Sequence, residues 1–183
     1  LNIKWSGGGE EVKWHQDIQF WPHTDFSPLT IGIYLNAVDD EMGPMGIVPG
    51  SHRRELFDLR ADDGSWAGSI RDEDLHRAAT ATAVYLKGPA GSATVHNCCS
   101  VHGSAPNTSA RMRPLLLQTY SRADSYPLLG VGTNGKDSGS AHTIVRGSAP
   151  DQITIAGRTM PAAPDWYKGT YTSLFAQQPC PDS

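Results

Sequence analysis

Two histidines, a carboxylate and an arginine hold the chemical content of this sequence. His15-Gln16-Asp17 lies near its start, and His102-Gly103-Ser104-Ala105-Pro106-Asn107 lies far downstream, with Arg113 eleven residues after His102. Side chains alternate faces along a β-strand, so His15 and Asp17 project from one side and Gln16 from the other. Two ligands so placed can grip one metal ion together. His102, from a distant strand, completes a set of two imidazoles and one carboxylate, which suits iron(II) and leaves about three of six octahedral positions open. Open positions belong to catalytic metals, whereas structural sites are closed.

Taken singly, each residue is ordinary. A lone histidine is more often a surface or hydrogen-bonded core residue than a ligand, and H-x-D is a weak signal alone. Context raises its value: Trp14 and Ile18 flank the tripeptide, His102 sits in a Val-His-Gly-Ser segment expected to end a strand, and a cation follows on the next apolar run. A planar guanidinium offers paired donors to a carboxylate and stays charged in a partly buried cleft, which lysine does less well. Arg111 and Arg113 share a strand face, so alternation leaves both as candidates. A surface arginine pairing with an acid is the plainer alternative, and such pairs contribute little.

Three segments together, Trp14-His15-Gln16-Asp17, Gly43-Pro44-Met45-Gly46-Ile47-Val48-Pro49-Gly50-Ser51-His52, and His102 to Asn107 with Arg113, resemble the phytanoyl-CoA dioxygenase (PhyH) family of iron(II)- and 2-oxoglutarate-dependent oxygenases. The resemblance spans most of residues 12–122. It implies a mainly β protein, a double-stranded β-helix (cupin-like jelly roll) with a few short helices. It implies that His15, Asp17 and His102 bind iron and that Arg113, selected over Arg111 by the family spacing, binds the distal carboxylate of 2-oxoglutarate. Ser104 matches the family position that helps hold the same carboxylate. The implied enzyme is a dioxygenase that uses O₂ to oxidise, by default hydroxylate, an unactivated C–H bond of a small molecule, with succinate and CO₂ as co-products. In related iron halogenases a small residue replaces the carboxylate ligand; Asp17 is present, so oxygen insertion is favoured.

Substrates of the resembled family include acyl thioesters, amino-acid derivatives and natural products, and the residues that select among them lie in variable loops. Desaturation, cyclisation or endoperoxide formation would use the same centre. Trp21 matches a position that is often aromatic and substrate-facing, with a loop aromatic packed on the core as its alternative. Thr30 and Tyr34 share a strand face and are candidates to line the cleft. Asn97 matches a usually polar position and joins them as a substrate candidate; either His96 or Asn97 could orient a metal ligand from behind. His23, His52, His76 and His142 are spare, and Asp39-Asp40-Glu41 reads as a solvated acidic turn rather than a calcium loop. Two other readings use the same residues: a metal-binding jelly-roll module without activity, and a zinc hydrolase or isomerase on a related barrel.

With 38% hydrophobic and 19% charged residues in 183, the composition is that of one folded domain, 1–183. No apolar run approaches the length of a membrane span. A net charge of −4, with no basic cluster beyond Arg53-Arg54, argues against nucleic acid and leaves a small molecule as the partner. A homodimer is compatible with this composition. Cys98, Cys99 and Cys180 suggest no disulfide framework and fit reduced thiols in the cytoplasm. The chain begins at Leu1, with only fourteen residues before His15, where the resembled family carries a substantial N-terminal region. The expectation is therefore an oxygenase domain lacking its N-terminal portion.

Alternation and turn residues predict strands over 2–5, 12–18, 29–35, 47–48, 82–86, 92–97 and 112–121, and a short helix over 71–78. Beyond Arg122 they predict a mobile Gly/Ser-rich loop over 130–140 and one or two late strands, at 153–155 and 166–175.

Overall fold

A computed structural model describes residues 1–128, 143–162 and Ala176; the expected loop at 130–140, the expected strand at 166–175, His142 and Cys180 lie outside the described residues. Ten strands are present among them: β1 (Asn2–Lys4), β2 (Val12–His15), β3 (Leu29–Tyr34), β4 (Met45–Ile47), β5 (Val84–Leu86), β6 (Ala93–Asn97), β7 (His102–Ser104), β8 (Arg113–Tyr120), β9 (Gln152–Ile155) and β10 (Arg158–Pro161). Eight form two four-stranded antiparallel sheets, in the orders β1-β8-β3-β6 and β2-β7-β4-β5, and β9-β10 is a separate hairpin. Neighbours in each sheet come from distant parts of the chain, which is the interleaving of a jelly roll. The fold is a double-stranded β-helix, mainly β, with short 3₁₀ turns as its only described helices of named length.

Period-two patterning sets which side chains face inward. Along β3, Thr30, Gly32 and Tyr34 are buried and alternate with half-buried Leu29, Ile31 and Ile33. Along β8 the inward series starts with Arg113 and Leu115. Gly46 of β4 and Gly103 of β7 are paired, and a Cβ on them would stand 3.0 and 3.2 Å from the Trp14 ring. Two glycines in register thus leave a flat strip for the indole beside His15. One apolar cluster gathers Val48, Phe57, Leu59, Ile70, Ala78 and Val101 with Trp14 against it, so the segment between β4 and β5 packs beside the end of β2 at His15 and the start of β7 at His102.

Three local expectations are corrected. The helix over 71–78 is a 3₁₀ turn, Asp72–Asp74, followed by turns; buried Asp74 is held between Arg71 and Arg77, while Leu75, Ala78 and Ala79 pack onto the apolar cluster. The strand over 12–18 stops at His15, and Asp17 opens a 3₁₀ turn, Asp17–Gln19. His102 begins a strand rather than ending one. Among the described residues no helix is long and apolar enough to cross a membrane.

Candidate metal centre and anion cleft

His15, the last residue of β2, pairs across the sheet with His102, the first of β7, and their rings lie 4.2 Å apart. Gln16 between His15 and Asp17 stays extended (φ −128°, ψ 128°), so Asp17 returns to the His15 side although the strand has ended. Gln16 itself is fully buried on the opposite side. Its amide donates to the carbonyls of Cys99 (2.8 Å) and Glu55 (3.1 Å) and accepts from Phe57 N (2.9 Å), while Ile18 N donates to Cys98 O (3.0 Å). These bonds stitch the H-x-D turn to the segment leading into His102.

Both histidines are oriented from behind. Nδ1 of His15 lies 2.7 Å from Lys13 O and Nδ1 of His102 lies 3.0 Å from Ser100 O. A carbonyl only accepts, so each Nδ1 carries the proton and each Nε2 keeps its lone pair for a metal. His15 Nε2 is 3.4 Å and His102 Nε2 3.6 Å from the same oxygen, Asp17 Oδ1. One ligand atom from each of His15, Asp17 and His102 falls within 4.8 Å of the others. Burial pushes the Asp17 carboxyl up, but the imidazoles of His15 and His96 beside it, with the field of His102, outweigh burial and hold it well below the usual range. Burial, reinforced by His15 and His96 against Asp17, pushes the His102 imidazole down to about 3. An ionised carboxylate and a neutral His102 are the protonation states that metal binding requires. The donor set of two imidazole nitrogens and one carboxylate oxygen fits iron(II).

A cavity of about 260 Å³ opens between the two sheets beside this triad. Alternate residues of β8, Arg113, Leu115, Leu117 and Thr119, run along its wall. Arg113 is 2% exposed. Its Nη1 donates to Gly43 O (3.0 Å) and its Nη2 to Asn2 Oδ1 (2.9 Å), while Nε has no hydrogen-bond partner. Gly43 adopts the left-handed conformation (φ 63°) that ends a 3₁₀ turn and presents this carbonyl. Among the described residues no carboxylate lies within ion-pair distance of Arg113. A buried cation without a counter-charge is costly, so this cleft is built to receive an anion. Arg111, by contrast, is exposed and pairs with Asp39, which separates the two arginines that alternation could not.

Lys4 does not line this cavity, yet it is a buried cation beside Arg113 that sequence reading missed. It sits opposite Arg113 in the β1–β8 register, is 3% exposed, and donates to the carbonyls of Ser104 (3.1 Å) and Ala105. Burial first and the Arg113 charge second, opposed by Glu11, bring its pKa down to about 8. Alternation within β1 places Asn2 and Lys4 on one face, but only the sheet register reveals that this face adjoins Arg113.

Of the other expected residues, Ser104, Trp21 and Thr30 line the cavity. Tyr34 does not: it is 1% exposed, donates to Leu86 O (2.7 Å) and packs with Val38, Met42 and Leu115. Asn97 does not either, because it faces away on β6; its amide donates to Phe26 O (2.8 Å) and Pro28 O (3.2 Å) and accepts from Cys99 N (2.9 Å). The adjacent His96 takes the inward position and lies 3.4 Å from Asp17 Oδ2 through Nε2.

Residues 1–115 match the family described as phytanoyl-CoA dioxygenase (PhyH). The chain belongs to the PhyH family. Among its relatives, a probable alpha-ketoglutarate-dependent hypophosphite dioxygenase of Stutzerimonas stutzeri is 40% identical over 129 residues, covering 69% of this chain and 45% of the relative. An L-proline trans-4-hydroxylase of Streptomyces griseoviridis is 34% identical over 145 residues, covering 69% and 54%. Among solved structures, EctD from S. alaskensis with bound Fe has a TM-score of 0.55 at 26% identity, covering 67% of this chain and 42% of that one. The chain spans about half the length of the curated relatives it matches.

Proposed function

We propose that this PhyH chain carries the catalytic centre of an iron(II)- and 2-oxoglutarate-dependent dioxygenase that hydroxylates an unactivated C–H bond of a small molecule. The observation that carries the proposal is the pairing, in one cavity, of the His15–Asp17–His102 donor set with a buried guanidinium that has no counter-ion among the described residues. The probable alpha-ketoglutarate-dependent dioxygenase named above supports the 2-oxoglutarate dependence, and the L-proline hydroxylase supports hydroxylation of a C–H bond.

His15 Nε2, His102 Nε2 and Asp17 Oδ1 would hold the iron, and Arg113 with Ser104 would hold the distal carboxylate of 2-oxoglutarate. When bound, iron(II), 2-oxoglutarate and O₂ supply the oxidising power, with succinate and CO₂ as co-products. The protein's own work is placement. Lys13 O and Ser100 O fix both imidazoles as Nδ1–H tautomers, and Gln16 holds the turn that aims Asp17. Gly43 O and Asn2 Oδ1 fix the plane of the Arg113 guanidinium and leave Nε–H and one hydrogen on each Nη uncommitted to them. Leu115 and Leu117 beside it lower the local polarity, which strengthens its hold on an anion. Trp21 and Thr30 would form part of the substrate wall. Cys98 and Cys99, buried and unbridged among the described residues, fit a cytoplasmic setting.

Substrate-stimulated succinate formation across a panel of small-molecule candidates tests the proposal, with His15→Ala as the blank. Succinate from the wild type alone is expected; equal succinate from both proteins would remove His15 from the chemistry.

A further inference from the structure

His96 is a buried imidazole whose one polar neighbour of note is the Asp17 carboxylate. It is 4% exposed, lines the cavity, and among the described residues neither ring nitrogen has a hydrogen-bond partner of regular geometry. Buried polar groups are nearly always satisfied, and an exception at a cavity wall points to a role there. Thr30, its partner across β3–β6, directs its hydroxyl at Thr119 rather than at His96. The ring is tilted against that of His102, 4.4 Å away, and Nε2 stands 3.4 Å from Asp17 Oδ2.

The division of the Asp17 carboxylate is the telling feature. Oδ1 faces both ligand nitrogens, His15 Nε2 and His102 Nε2, whereas Oδ2 faces His96. Nε2 of His96 is not close enough to the other three donor atoms to join their cluster. We infer that His96 is a positioning residue: its Nε2–H engages Asp17 Oδ2 and keeps the carboxylate a one-oxygen ligand. The inference rests on the metal-centre reading given above and deepens it. A carboxylate oxygen left without such a donor is free to turn onto the metal and occupy one of about three open positions. Those positions are the ones a two-point keto acid and O₂ need together. Partners of this kind behind a metal ligand commonly change metal affinity by about 10–100-fold when removed.

The test uses the full chain loaded with manganese(II), counting exchangeable metal-bound water from the broadening of the manganese EPR lines in ¹⁷O-enriched water. Wild type should hold about three waters, His96→Phe one fewer, and His96→Gln, which keeps an N–H donor, the wild-type number. His96→Phe should also bind 2-oxoglutarate at least tenfold more weakly in the manganese form. Unchanged water in a folded His96→Phe protein, or the same loss in Phe and Gln variants, would overturn the inference. Should His96→Phe not fold, the zinc-loaded wild type decides through the long-range ¹H–¹⁵N spectrum of its histidines: an Nε2–H tautomer at His96 is expected, and an Nδ1–H tautomer would refute the role. A wild type that takes up neither metal would overturn the metal-centre reading itself, a failure distinct from metal uptake with an unchanged water count.

Discussion

Replacing Arg113 with leucine should separate recognition of the far end of 2-oxoglutarate from recognition of its keto-acid end. Two of the guanidinium nitrogens are committed to Gly43 O and Asn2 Oδ1, and among the described residues no carboxylate neutralises the charge. Its remaining donors can form a two-point contact with one anion. Hydrogen bonds to a charged group contribute about 1.5–3 kcal/mol each, so losing two costs about 3–6 kcal/mol, or roughly 10²–10⁴ in dissociation constant. Arg113→Lys keeps the charge but forfeits the fork, and should lose on the order of tenfold. The assay is anaerobic calorimetry of 2-oxoglutarate binding to the manganese-loaded protein, run beside pyruvate, which shares the keto-acid end and lacks the second carboxylate. Wild type and Arg113→Leu should bind pyruvate alike while differing by the full factor for 2-oxoglutarate. Equal losses for both ligands, with an unchanged thermal midpoint, would show that Arg113 shapes the site without holding the distal carboxylate.

Three further outcomes follow from the same structure. Affinity for 2-oxoglutarate should fall on the order of tenfold as pH rises through about 8, where Lys4 gives up the charge that burial and Arg113 already destabilise; binding curves at pH 7 and 9.5 should show this step, and Lys4→Met should abolish it. Metal-free protein should lose stability as pH falls from 6.5 towards about 3, because the unfolded chain protonates His102 in this window while the folded one does not; urea titrations should give a flatter slope there for His102→Asn, and an unchanged slope would refute the burial of a neutral imidazole. Leu59, fully buried in the cluster beside β2, should cost about 2–5 kcal/mol when truncated to alanine, and a loss below 1 kcal/mol by denaturant titration would contradict the packing of this segment.

The clustering of His15 with Asp17 was legible because strand alternation survives the end of the strand: Gln16 remains extended, so the H-x-D spacing still places the two side chains side by side. Where function depended on register or depth, the sequence was silent. Thr30 and Tyr34 share a face of β3, yet only Thr30 reaches the cavity, since Tyr34 is sealed below it against Leu115 and its hydroxyl is used by Leu86. The choice between His96 and Asn97 turned on which face of β6 looks inward, and alternation gives two faces without saying which is which. Lys4 was invisible for a related reason: its neighbour Arg113 is more than a hundred residues away and joins it only through β1–β8 pairing. The helix expected near Asp74 shortens to a 3₁₀ turn and further turns: its apolar residues Leu75, Ala78 and Ala79 do pack inward, but Ala79 takes a positive φ that ends any helix there.

The central claim is that one ion bound by His15, Asp17 and His102 stands beside the Arg113 cleft so that a single 2-oxo acid touches both. Anaerobic addition of 2-oxoglutarate to the iron(II)-loaded protein tests this directly by visible absorption. A weak charge-transfer band at one equivalent of iron, absent from His15→Ala, is predicted; no band from folded, iron-loaded wild type, or an equal band from both proteins, would contradict the account.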